Sequence, residues 1–356
     1  MNTKFHKYLG SAATVAVLAM APGLAHAAGT LAGSTITNTA TLSFQVGGIS
    51  QTAQSASNSV TVDRKVNMTL VNVGATTTVS PGQTAAATTW TLTNTSNDTL
   101  DFGLAAVNQT TGATAQHGGT DAYDVTNIKY YVDTNANGVY DAGTDTQVTW
   151  IDELAPDTSK TIFVISDTPL TATNAQVSGL VLTATAQAGG AAATQGAVLT
   201  ATAGANTAGV DTVFADGAGT SDSANDGKIS AKGDYTVSAA VLTVNKYATL
   251  ISDPINGTTN PKMIPGAVVE YCIAVANAAG AATATGLSVS DPLPATTTYS
   301  ANTVFLNATV SGSTCSGGTA GSDATNYNAG TTTVSGTLSN VAAGSSTGLR
   351  FRVTIN

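Results

Sequence analysis

Apolar residues in this chain recur mainly at every second position, in short runs broken by turn-forming residues. Leu42, Phe44 and Val46 alternate with polar neighbours, and Val46-Gly47-Gly48-Ile49 has the form of a hairpin turn. Further on, Trp90 and Leu92 share one face of a strand, Asn94 to Asp98 supply a turn, and Leu100, Phe102 and Leu104 resume the alternation. The runs NIKYYV, TQVTWI, KTIFVI and VSGLVLTATA follow, separated by Pro156, Pro169 and connections bearing Gly, Asp or Asn. This spacing predicts an antiparallel sandwich. Residues 189–234 contain few large apolar side chains and predict long loops with weak edge strands. Alternation returns from Tyr235 and runs on to Leu349, Phe351, Val353 and Ile355. The expected order is a leader over 1–27, a strand or hairpin segment over 28–65, a first sandwich over 66–188, a loop-rich insertion or linker over 189–234, and a second sandwich over 235–356. The fold class is all-β.

The leader is read from Lys4 and Lys7, the apolar run Leu9 to Ala21 and the small-residue end Ala25-His26-Ala27, with cleavage after Ala27. No later stretch has the apolar length of a membrane helix, so the expectation is a secreted protein, extracellular or on the cell surface, without a transmembrane segment. Only 9% of the 356 residues are charged, and the formal charge of −9 argues against nucleic acid as a partner. Glu153 and Glu270 are the only glutamates, and His117 is the one histidine beyond the leader. Neither glutamate stands in a recognisable catalytic setting, so the chain reads as a non-enzyme. Trp90 and Trp150 sit at strand positions that suit core anchors better than sugar-stacking platforms. Export gives the two cysteines, Cys272 and Cys315, an oxidising compartment in which to pair, within one chain or between two.

An internal echo supports two similar units. PGQTAAATTWTLTNTSNDT, from Pro81, and PGAVVEYCIAVANAAGAAT, from Pro265, both read as turn, strand, Asn, turn. Lys246, Pro265, Gly266, Tyr271, Asn277, Gly280, Asp291, Leu293 and Pro294 occur in the order of a pattern comprising a lysine strand, PG, a tyrosine strand, N-x-G and D-x-LP. On these residues, the region 242–356 resembles the bacterial surface conserved-repeat domain, a domain of unknown function. The resemblance implies an immunoglobulin-like sandwich found in exported cell-surface proteins, with no shared catalytic activity. The whole chain is therefore expected to form two immunoglobulin-like antiparallel sandwiches. Lys246, Glu270 and Asn356 are also similar to the Lys, acid and Asn of internal isopeptide cross-links in some surface sandwiches.

The clearest chemical motif is DTNANGVYDAGTD. Asp133, Asn135 and Asn137 offer oxygen at alternate positions, Gly138 permits a sharp turn, the Val139 carbonyl can point inward, and Asp141 occupies the ninth position. Position twelve is Thr144, and the closing carboxylate Asp145 comes one residue later. With strands on both sides, the motif predicts a calcium loop on a β-scaffold. DSANDGKISAKGD repeats the register more weakly through Asp222, Asp226 and Asp234, with Asp211 or Asp216 as possible completing ligands. These features together predict a calcium-stabilised structural or adhesive surface protein that joins other copies, or other surface proteins, by strand addition through residues 34–62. The alternative is a module that binds carbohydrate or another envelope polymer.

Overall fold

A computed structural model describes residues 29–356; the expected leader lies outside them. The described chain is built almost entirely of strands, as the alternation requires, with one short helical turn at Asp323–Asn326. Among the described residues, no helix is long and apolar enough to cross a membrane.

The first sandwich faces one five-stranded sheet against another. One sheet has the order Thr146–Val148, Thr126–Val132, Ser159–Asp167, Ala86–Asn94, Met68–Val73; the other runs Trp150–Leu154, Leu100–Asn108, Val177–Ala188, Lys228–Val237, Thr77–Val79. Alternation turns Trp90, Leu92, Phe102, Leu180 and Leu182 inward, and all five are fully buried. Trp90 fills the centre because Gly233 opposite lacks a side chain: a Cβ there would stand 2.6 Å from the indole.

The strand Lys228–Val237 corrects the expected boundary. It belongs to the first sandwich, pairing with Val177–Ala188 on one side and Thr77–Val79 on the other, and its Tyr235 is wholly buried in the first core. Its inward series Ile229, Ala231, Gly233, Tyr235, Val237 is a period-two strand hidden beneath a calcium-like register. The 189–234 linker is thus shorter than expected, and the second body begins at Leu242.

Strand register fixes two poles on the first sandwich. Asn94 turns directly into Leu100, Leu100 lies opposite Ala188, and Thr93 lies opposite Ser159, so these residues mark one pole. Ala86, Asp167, Val177 and Val237 mark the other, about 40 Å away along a twelve-residue strand. The N-terminal segment is rooted at the first pole: Ala32 N–H donates to the Asn97 carbonyl at 2.9 Å, and Arg64 meets Asp98 at 2.6 Å. The second sandwich leaves from the opposite pole, where Ser238 N–H donates to Val79 and Ala239 N–H to the Asn174 side chain.

Beyond its root, the N-terminal segment is a two-stranded ribbon. Thr35–Leu42 pairs with Gln54–Thr61, and Val46 pairs with Ile49 across the expected Gly-Gly turn. Every residue of both long strands is exposed except Thr61.

The second sandwich is lopsided. Leu242–Ser252, Val268–Asn277, Ser346–Ile355, Phe305–Ser311 and Thr314–Ser316 form the larger sheet, and only Ser288–Pro292, Thr333–Thr337 and Tyr327–Asn328 face it. Its core holds Ile273, Val275, Leu349, Phe351, Val353 and Val334. On the outer face of the larger sheet, Cys272 and Cys315 form an intrachain disulfide with Cα atoms 5.4 Å apart, which answers the choice the sequence left open. The short strand Thr314–Ser316 folds over the sheet at Gly348, where a Cβ would lie 2.8 Å from the Cys315 sulfur.

Candidate metal centre

The loop Asp133–Asp145 is the connection of a hairpin. Val132 lies directly opposite Thr146, so pairing of Thr126–Val132 with Thr146–Val148 brings the first and last acids of the motif together. Both carboxylates are buried, Asp133 at 9% and Asp145 at 7% exposure. Asp133 accepts from the N–H groups of Asn137 (3.2 Å) and Gly138 (2.8 Å), and Asp145 accepts from those of Thr134 (3.1 Å) and Asp141 (2.7 Å). Gly138 has φ +77°, the turn that the motif needs a glycine to make.

Asp141 lies between the two asparagines. The side-chain amides of Asn135 and Asn137 donate to it at 3.0 and 2.6 Å, which holds its carboxyl below the usual carboxylate range. Their amide oxygens accept the N–H groups of Asn137 and Val139. The loop thus gathers three carboxylates and two side-chain amides between two paired strands. Each ionised carboxylate has about four lone-pair directions, so the backbone bonds leave acceptor capacity for a hard cation.

The second motif comes only partly together. Asp222 accepts from Gly219 N–H at 2.8 Å and from the Ser230 hydroxyl, and Asp226 accepts from Ser223 and Lys228 N–H. Asp216 joins them, taking the N–H groups of Asp226 and Gly227. Asp234 does not. Strand pairing carries it into the sheet, fully buried, where it accepts from His117 N–H at 2.7 Å and meets His117 Nδ1 at 2.8 Å. The expectation of Asp234 as a closing ligand is therefore corrected, and His117, the one histidine beyond the leader, is tied to that strand. Asp211 is also elsewhere, bonded to Thr207 beside the ribbon's root.

One acidic group has no signature along the sequence. The carboxylates of Asp101, Asp152 and Glu153 offer oxygens within 4.8 Å of one another. Pairing of Ile151 with Phe102 assembles them, and N–H groups of Gly190, Ala193 and Gly196 from a later loop cap all three. Only knowledge of that register can find the cluster. Like the Asp133 and Asp216 loops, it stands at the pole from which the ribbon emerges, so this pole concentrates the chain's negative charge.

The suggested isopeptide trio is not assembled. Lys246 Nζ meets Asp291 at 2.6 Å and sits 4.5 Å from the centre of the Tyr271 ring, Glu270 is paired with Arg350 and Arg352, and Asn356 donates to the Ala295 carbonyl. Trp90, being fully buried, cannot stack on a sugar. Comparison of the sequence with protein-family models and with curated proteins gave no match.

Proposed function

We propose that this is an exported, non-enzymatic structural or adhesive protein of the cell surface, stiffened by calcium and built to join other copies of itself by strand addition. The observation that carries the reading is the ribbon at Thr35–Thr61. A lone two-stranded hairpin is marginally stable in water, yet this one stands clear of both sandwiches with its edges open. Proteins that avoid edge pairing protect such strands with charge or proline; from Gly29 to Val62 there is neither. The disulfide supports export, since such bonds persist in oxidising compartments.

Calcium fits the Asp133–Asp145 loop because the donors are hard oxygens in a flexible connection. Asp133, Asp141 and Asp145 would hold the ion, with Asn135 and Asn137 turning their amide oxygens towards it and the Val139 carbonyl completing the set. Asp222, Asp226 and Asp216 form a weaker second position. Neutralising the crowded carboxylates stabilises the folded state by linkage, about 1.4 kcal/mol when free calcium is tenfold above its dissociation constant.

The test is light scattering and electron microscopy on the oxidised mature chain, with calcium and with chelator, beside calorimetric melting. Assembly that rises with protein concentration, and a melting temperature that rises with calcium and loses that response in Asp145→Asn, are the expected results. A chain that stays monomeric at every concentration would overturn the assembly reading; identical melting in calcium and chelator would overturn the metal reading.

A further inference from the structure

The second sandwich lacks a strand along one side. Leu242–Ser252 is the terminal strand of its larger sheet, and Ser288–Pro292 is the terminal strand of the smaller sheet facing it. Between these two free edges runs a groove of about 440 Å³ lined by Leu242, Val244, Ile273, Val275, Leu287 and Val289, with the Lys246–Asp291 pair also on its wall. Val244 is an alternate-position neighbour of Lys246, which reaches across to the opposite sheet, yet Val244 is 63% exposed because nothing opposite covers it.

The ribbon has the matching chemistry. Its register places Ile36 beside Val60, Ala40 beside Ala56 and Leu42 beside Gln54 on one face, with Asn38 and Asn58 between them. Thr35, Thr37, Thr39 and Thr41 with Ser55, Ser57, Ser59 and Thr61 make up the other. One face is therefore largely apolar and unpartnered, and the other consists of hydroxyl groups.

We infer that the groove between Leu242–Ser252 and Ser288–Pro292 receives the apolar face of the ribbon from a second copy, so that copies join head to tail. This rests on the self-assembly reading and names its acceptor. Three observations select this occupant. The ribbon and the second sandwich leave opposite poles of the first sandwich, about 40 Å apart, and the ribbon lies uncovered on its own chain. Pairing ribbon with ribbon would bring two acidic poles together, whereas residues 242–356 carry Lys246, Lys262, Arg350 and Arg352 against Asp253, Glu270, Asp291 and Asp323 and are formally neutral. Each partner also supplies what the other lacks, an apolar face with free edges for an apolar floor with free edges. An interface between two different patches of one chain propagates into an open filament unless its rotation closes a ring.

Two blocked full-length chains test this by sedimentation velocity. Ile36→Lys with Leu42→Lys spoils the ribbon face, and Val244→Lys spoils the groove at a position exposed enough to keep the fold, which melting verifies; Val244→Ser is the milder second variant. The wild type should form a ladder of multimers. Each blocked chain should need at least about tenfold more protein to assemble, and an equimolar mixture should give a discrete dimer, because one member keeps a free ribbon and the other a free groove. A Val244→Lys chain that assembles like the wild type, or a mixture with no dimer, overturns the groove as acceptor while leaving self-assembly standing. A wild type that remains monomeric overturns both.

Discussion

The two sandwiches solve one turn in the same way and hold their cores in different ways. In the first, the fully buried Asn94 donates from its amide to the carbonyls of Asp98 and Leu154 and accepts Ser96 N–H. In the second, Asn277 donates to the carbonyls of Ala282 and Val341 and accepts Val241 N–H. These two residues are the common element of the echoed segments, and the reason is physical: a buried turn leaves carbonyls that water cannot reach, and one side-chain amide satisfies two of them. Elsewhere the bodies diverge. The first closes around Trp90 with five strands on each side, while the second has too few strands opposite its larger sheet and carries a covalent staple on its outer face. A sandwich left open along one side has less core to hold it, and a disulfide offsets that deficit by restricting the unfolded chain.

Breaking the staple should separate the two bodies most. Replacing Cys272 and Cys315 with Ser removes a closure across 43 residues of sequence, worth about 4 kcal/mol on the chain-entropy model. In calorimetry the second sandwich should melt earlier while the transition of the first stays in place; coincident movement of both would show that they unfold as one unit. Gly348→Val should act in the same direction, because its side chain would occupy the space of the Cys315 sulfur, and it should leave free thiol detectable by titration in the purified protein.

The shared asparagines sharpen the comparison at a smaller scale. Asn94→Ala and Asn277→Ala should each cost about 1–3 kcal/mol by stranding buried carbonyls, each lowering only its own transition. A change that lowers both would place the coupling in residues 238–241, which bond to both bodies.

The smallest effect should come from acid. Asp253 accepts from the N–H groups of Asn256, Ile255 and Lys262 and from the Asn256 side chain, and this holds its carboxyl down at about 2 against an ordinary 3.8. A depressed carboxylate stabilises the fold in full above its ordinary value and loses that contribution as pH falls through about 2. Protection of the amides in residues 253–262, taken relative to the intrinsic exchange rate at each pH, should therefore fall between roughly pH 4 and pH 2, and Asp253→Asn should abolish that fall. Unchanged protection across that range would show that the turn does not rely on the ionised side chain.

Most strands are legible from alternation alone, as is the Val46–Ile49 turn, because a half-buried strand must place its apolar residues at period two. The Asp133–Asp145 loop is legible for a related reason: the strands on either side of it close it into one hairpin, so ligand spacing along the chain becomes spacing in space. The Asp234 expectation fails where those conditions differ. Lys228–Val237 has a strand's alternation, but Gly227, Lys228, Gly233 and Asp234 resemble a loop, and the need for Gly233 becomes visible only once Trp90 is in place opposite it. The cluster of Asp101, Asp152 and Glu153 joins two strands, and the pairing of His117 with Asp234 joins a turn to a strand far along the chain. No local pattern contains that information.

The hydroxyl rungs of the ribbon carry a further consequence. Thr37 and Ser59 bond across the strands at 2.7 Å, and nothing from Gly29 to Val62 can gain or lose a proton near neutrality or draw a counterion. With its oily side covered, such a tongue shows water only alcohols, whose affinity for solvent hardly changes with acidity or ionic strength. Brine or mild acid would then act on the carboxylate-rich collar at its base, and on the Lys246–Asp291 pair of the second sandwich, while leaving the ribbon's own side chains unchanged.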